Sequence, residues 1–73
     1  MFKDIIRDLR RQKNLTQTEL GSALGFSHAA IGFWERGEKL PTYEALRKMA
    51  LFFDVSADYL LGIIDEDGTR LVV

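Results

Sequence analysis

Apolar residues recur at three- and four-residue steps along most of the chain, and each run is closed by a residue that does not continue a helix. Phe2, Ile5, Ile6 and Leu9 form one apolar face over residues 2–13, which predicts a first helix ending at Asn14-Leu15. Thr16-Gln17-Thr18-Glu19 then reads as a capping box, in which the Thr16 hydroxyl and the Glu19 carboxylate each accept from the other's backbone amide. Leu15 precedes the cap and Leu20 occupies the fourth helical position, completing a hydrophobic staple, so a second helix starts at Gln17. Gly25 ends it, being suited to the left-handed conformation that closes helices. Ser27 caps a third helix that runs to Arg36 and stops at Gly37. A loop, Glu38-Lys39-Leu40-Pro41, leads to a fourth helix opened by Pro41 or Thr42, with Leu46, Met49, Ala50 and Phe53 turned inward. Asp54-Val55 interrupts, and Ser56 caps a fifth helix over about 57–61 that ends at Gly62.

The pattern predicts an all-α fold, a compact five-helix bundle, with one domain over residues 1–62. Residues 63–73 form a tail whose apolar pairs flank Asp67-Gly68. This is a turn dipeptide that makes the tail a candidate hairpin or strand and a candidate dimerisation or linker segment. The second and third helices, joined by the tight turn at Gly25, have the layout of a helix-turn-helix, in which the second member is presented to the DNA major groove.

At 100° per residue, His28, Ala29, Gly32, Phe33 and Arg36 share one arc of about 140° on the third helix. Ala30, Ile31 and Trp34 lie opposite, and Glu35 sits at a border. The first arc is expected to be free, and it is oddly apolar for a surface. A mid-helix glycine costs about 1 kcal/mol relative to alanine, which suggests close approach to a partner. Ala29 and Phe33 suit a groove wall or a thymine methyl, and His28 suits a base edge or a phosphate. The alternatives are that Phe33 is a core aromatic or a protein contact and that His28 is an ordinary surface histidine. Gln17 and Ser27 stand at helix N-termini, where backbone amides and the helix dipole favour an anion. Arg36, Lys39 and Tyr43 follow the third helix and are placed to reach the backbone beyond it; such contacts position without reading sequence.

Composition narrows the alternatives. No cysteine and a single histidine exclude disulfides, thiolate metal sites and a zinc finger. No apolar run approaches a membrane span of about 18 residues. The N-terminal MFKDIIRDLRRQK is charged at every turn, unlike a signal peptide, so a cytoplasmic location is expected. The net charge of −1 hides a split: residues 1–48 carry nine Lys/Arg and six Asp/Glu, net +3, while residues 49–73 carry Arg70 against five acids, net −4. The basic part holds the helix-turn-helix; the acidic part either orients approach to phosphate or serves solubility.

The segment LRRQKNLTQTELGSALGFSHAAIGFWERGEKLPTYEALRKMALFFDVSADYLL resembles the Cro and lambda-repressor-like (Xre-type) helix-turn-helix family. The resemblance implies a five-helix domain that binds double-stranded DNA as a homodimer, usually to repress transcription. It aligns Gln17 with a phosphate-contacting position and His28, Ala29 and Phe33 with base-reading positions, Gly32 lying between them. It matches Arg10 and Glu35 to a structural salt bridge tying the first helix to the third. Two departures stand out: the reading face lacks the polar side chains common in the family, and Gly21 stands where alanine is frequent, permitting close approach of the second and third helices at an expected cost in stability.

The leading expectation is therefore a DNA-binding regulator, a repressor on a palindromic operator. The alternative is a protein-interaction module or antitoxin-type partner on the same fold. Neither a paired-carboxylate site nor an activated nucleophile nor a phosphate loop is visible, so no enzyme, cofactor, metal or small-molecule ligand is expected. Dimerisation is assigned to Leu61, Ile63, Leu71, Val72 and Val73, taken as the only apolar surface left over.

Overall fold

The computed structural model describes residues 2–62, which form five α-helices and no strand: α1 (Phe2–Gln12), α2 (Gln17–Leu24), α3 (His28–Arg36), α4 (Tyr43–Phe53) and α5 (Ala57–Leu60). Local chemistry sets nearly every boundary. Four helices begin at a Ser or Thr whose hydroxyl accepts the amide three residues on: Thr16 from Glu19, Ser27 from Ala30, Thr42 from Ala45 and Ser56 from Tyr59. At α2 the box is closed reciprocally, the Thr16 amide donating to Glu19 Oε1 at 2.9 Å. The Thr16 amide, with a further contribution from the Thr16 hydroxyl, holds the Glu19 carboxyl below its ordinary pKa. Thr42, rather than Pro41, caps α4. Asn14 (φ 57°) and Asp54 (φ 56°) adopt the left-handed conformation and turn the chain after α1 and α4.

Each helix contributes one large, fully buried side chain to a single core: Ile6, Leu20, Ile31, Met49 and Leu60. Burying such a side chain contributes roughly 1.5–3 kcal/mol. Phe2, Leu9, Leu24, Trp34, Ala45 and Phe53 extend the cluster, and Leu15 packs against it partly buried. The Phe26 ring meets Trp34 edge-on, 5.4 Å between centroids, and fills the corner below the α2–α3 turn.

The structure corrects several expectations. On α4 Ala45, which the spacing did not single out, is buried with Met49 and Phe53, while Leu46 and Ala50 pack against the core partly buried. Leftover apolar surface is not confined to the fifth helix and tail, because Leu40 and Leu51 are also exposed, Leu51 to 67%. Leu51 and Phe52 line an open groove of about 500 Å³ with Leu24, Gly25 and Lys48. Gly21 is not a cost: a Cβ there would lie 2.5 Å from the Phe26 carbonyl oxygen and 3.2 Å from the Ser27 carbonyl carbon. The backbone after α2 passes so close to Gly21 that a side chain would have to force it away. Among the described residues no helix is long and apolar enough to cross a membrane.

Candidate nucleic-acid interface

The cap at Ser27 starts α3 so that Ile31 and Trp34 enter the core, which leaves His28, Ala29 and Arg36 exposed on the far side. Ser27 Oγ accepts from the Ala30 amide at 3.2 Å, and its own proton remains available to a further acceptor. The amides of His28 and Ala29 precede the helical hydrogen-bond ladder and point out of the helix start. Gln17 occupies the matching first position of α2.

The free arc is narrower than helical spacing suggests. Gly32 is buried, and Phe33 is only partly exposed. A Cβ at Gly32 would lie 2.9 Å from Arg36 Nη1 and 3.6 Å from Gln17 Oε1. Two long side chains therefore lie over the bare backbone at Gly32, and the expectation that it is open to a partner is corrected. A residue without a side chain cannot keep its neighbours off.

Beneath this surface Glu35 is 95% enclosed, only 5% of it remaining exposed, and it is charged. Arg10 grips it bidentately, Nε donating to Oε2 at 2.6 Å and Nη2 to Oε1 at 2.9 Å. Arg10 Nη1 donates to the Leu15 carbonyl at 2.8 Å, so the same guanidinium fastens the α1–α2 loop. Gln17 Nε2 adds a longer bond to Glu35 Oε1, 3.3 Å, linking the start of α2 to the end of α3. Burial alone would raise the Glu35 carboxyl; the bonds from Arg10 and Gln17, with the charges of Arg10 and Arg7, outweigh it and hold the group below the ordinary carboxylate range. The Glu35 bond in turn raises the Arg10 guanidinium against the opposing effect of burial.

At the other end of α3, Gly37 (φ 74°) reverses the chain. Its amide donates to the carbonyls of Phe33 and Trp34, and the Glu38 amide donates to the Phe33 carbonyl at 2.9 Å. This returns the loop over Phe33: Lys39 Nζ stands 4.4 Å from the ring centroid and Arg36 Cζ 5.2 Å. Arg36 also donates from Nε to Glu38 Oε2 at 3.0 Å. Tyr43, in the first turn of α4, is exposed.

The structure thus gathers Gln17, Gly32, Glu35 and Arg36 into one neighbourhood, sets Phe33, Arg36 and Lys39 into another, and leaves His28 and Ala29 open between the helix starts. Sequence reasoning missed the Gln17–Glu35 link, the Glu38–Arg36 pair and the stacking of Lys39 on Phe33. The last was detectable, since a left-handed Gly37 after Phe33-Trp34-Glu35-Arg36 brings the next residues back to Phe33. Of the dimerisation set, Leu61 is 46% exposed after α5, while Ile63, Leu71, Val72 and Val73 lie outside the described residues, as does the candidate hairpin.

A helix-turn-helix family model matches residues 6–60. The chain is 42% identical over 61 residues to the HTH-type transcriptional activator BcrR of Enterococcus faecalis, a match covering 84% of this chain and 30% of that protein. It is 39% identical over 56 residues to repressor protein C2 of Salmonella phage P22, covering 77% of this chain and 26% of that one. It therefore spans less than a third of either relative. Among solved structures, the P22 c2 repressor in complex with a synthetic operator superposes with a TM-score of 0.79 at 35% identity, covering 82% of this chain and 91% of that one.

Proposed function

Because the chain belongs to the Xre/Cro/C1-type helix-turn-helix family, whose members are DNA-binding transcription regulators, we propose that it is a repressor that binds a palindromic operator as a homodimer. α3 enters the major groove. His28 and Ala29 face the bases, and Phe33 lies beside them on the same helix face. Gln17 and Ser27 bind the phosphate backbone on one side of the groove, and Arg36, Lys39 and Tyr43 bind it on the other. The observation that carries this reading is the arrangement around α3: an open, uncharged strip at its N-terminal end, with helix starts on one side and two cations on the other. Phosphate ligands on both flanks suit a groove walled by phosphates. With two small or apolar side chains on the strip, readout leans on methyl contacts and DNA shape more than on bidentate hydrogen bonds. Gly32, sealed by Arg36 and Gln17, serves by letting those side chains lie close to the helix. The work is done in the cytoplasm, with repression by occupancy of the promoter.

The test is selection of bound duplexes from a random pool, followed by affinity measured against salt. A palindromic motif with half-sites about one helical turn apart is expected, with affinity falling steeply as salt rises. Absence of an enriched motif, or binding indifferent to salt, overturns the proposal.

A further inference from the structure

We propose that Phe33 is a positioning residue: its ring holds Lys39 and Arg36 in place as a phosphate-binding pair at the C-terminal end of α3, and sequence selection is left to His28 and Ala29. This deepens the DNA-binding reading above and rests on it.

Three observations converge on this role. First, both cations lie within the roughly 6 Å range of attraction to an aromatic face, Lys39 Nζ at 4.4 Å and Arg36 Cζ at 5.2 Å from the ring centroid. The π surface that would stack on a base or cover a thymine methyl is already engaged. Second, the backbone enforces this placement. The Glu38 amide is bonded to the Phe33 carbonyl, and the left-handed Gly37 makes that return possible, so Lys39 is delivered to Phe33 by the helix stop itself. Third, Gly32 leaves the space beside the ring in which Arg36 lies, since a Cβ there would meet Arg36 Nη1 at 2.9 Å. Phe33 is the partly buried member of a face whose other side chains, His28 and Ala29, are exposed.

The physical consequence is pre-organisation. A free lysine or arginine side chain must give up rotamer freedom to hold a phosphate. A cation already held over a ring has lost part of that freedom before DNA arrives. Glu38 holds the Arg36 guanidinium from one side and leaves Lys39 without an anion of its own among the described ion pairs. The pair thus presents one partly neutralised cation and one unneutralised cation to the backbone.

The experiment compares wild type, Phe33→Leu, Phe33→Tyr and Lys39→Gln, each as the full chain and each checked for folding by thermal unfolding, using the selected duplex and single-base variants of it. Leucine keeps an apolar side chain for a methyl contact and removes the π face; tyrosine keeps the ring. For Phe33→Leu a three- to ten-fold loss of affinity is expected, equal across all base variants. The log–log salt slope should become shallower by about one. Phe33→Tyr should retain the wild-type slope, and Phe33→Leu should cost less in a Lys39→Gln background than in wild type, since only Arg36 then remains to be released. Loss of preference at one base pair with an unchanged salt slope would identify Phe33 as a base reader and overturn the proposal. So would additive effects of Phe33→Leu and Lys39→Gln. Should Phe33→Leu fail to fold, Phe33→Met, which also removes the π face, takes its place with the same uniform loss and flatter slope expected, and an unchanged slope overturns the proposal. Absence of wild-type binding to any duplex would instead overturn the DNA-binding reading itself.

Discussion

Glu35 stays ionised in a nearly closed site because Arg10 and Gln17 bring three side-chain donors to its two oxygens. An isolated carboxylate so buried would be driven toward its protonated form. Here the net shift is downward, so the folded state favours the charged form more than the unfolded chain does. This stability is present above the ordinary carboxylate range and is lost as pH falls through the lowered folded value. The raised Arg10 has the opposite sign, but its contribution is lost only at strongly alkaline pH, so the acid limb belongs to the lowered carboxyls, buried Glu35 and exposed Glu19. Glu35→Gln is expected to lower stability at pH 7 by about 2–3 kcal/mol, the worth of hydrogen bonds to a charged group. The deficit should shrink at pH 3. Urea unfolding at the two pH values measures this, and an equal deficit at both would refute it.

The helix-turn-helix depends on two glycines of opposite meaning. Both look like weak points, since glycine costs about 1 kcal/mol in a helix interior. At Gly21 the neighbour is the backbone of the turn, 2.5 Å from a Cβ, and backbone that carries the start of α3 cannot yield cheaply. Gly21→Ala is therefore expected to destabilise by about 1–3 kcal/mol, as overpacking does. At Gly32 the neighbour is the far end of the Arg36 side chain, which can swing away. Gly32→Ala is expected to stabilise by up to about 1 kcal/mol while weakening DNA binding several-fold, because Arg36 leaves its place beside Phe33. Thermal unfolding paired with a binding titration tests both. A more stable Gly21→Ala variant, or a Gly32→Ala variant that binds as tightly as wild type, would show the respective argument to be wrong.

Across the whole molecule, charge and apolar surface are divided. The basic part of the chain carries α1 to α3 and the start of α4, whereas residues 49–73 are net acidic and include α5 and the tail. Of those acids the described residues place Asp54 at the end of α4 and Asp58 in α5, both outside the helix-turn-helix. Leu61, 46% exposed after α5, is the described part of the proposed dimer surface. A chain ending at Gly62 is expected to sediment as a monomer and to bind a half-site and a full palindrome nearly equally. The chain of 73 residues should sediment as a dimer and prefer the palindrome. A dimeric truncated chain would place the interface elsewhere, with exposed Leu51 the first position to mutate.

Helix number, order and most limits were legible without coordinates. A capping hydroxyl, a left-handed glycine and a three-four apolar spacing act over a few residues, and the same few residues carry the signal. The Thr16–Glu19 box and the Ile31–Trp34 side of α3 are read this way directly. The Arg10–Glu35 pair came from family resemblance and from the need of a border acid for a partner. Tertiary structure alone decided how open each position is. Helical spacing assigns Gly32 to a free face, but Gln17 and Arg36 cover it, and the penalty at Gly21 becomes a requirement only once Phe26 passes beside it. Each of these depends on side chains or backbone brought from another element, and a one-dimensional pattern carries no information about which neighbour arrives or how near it comes.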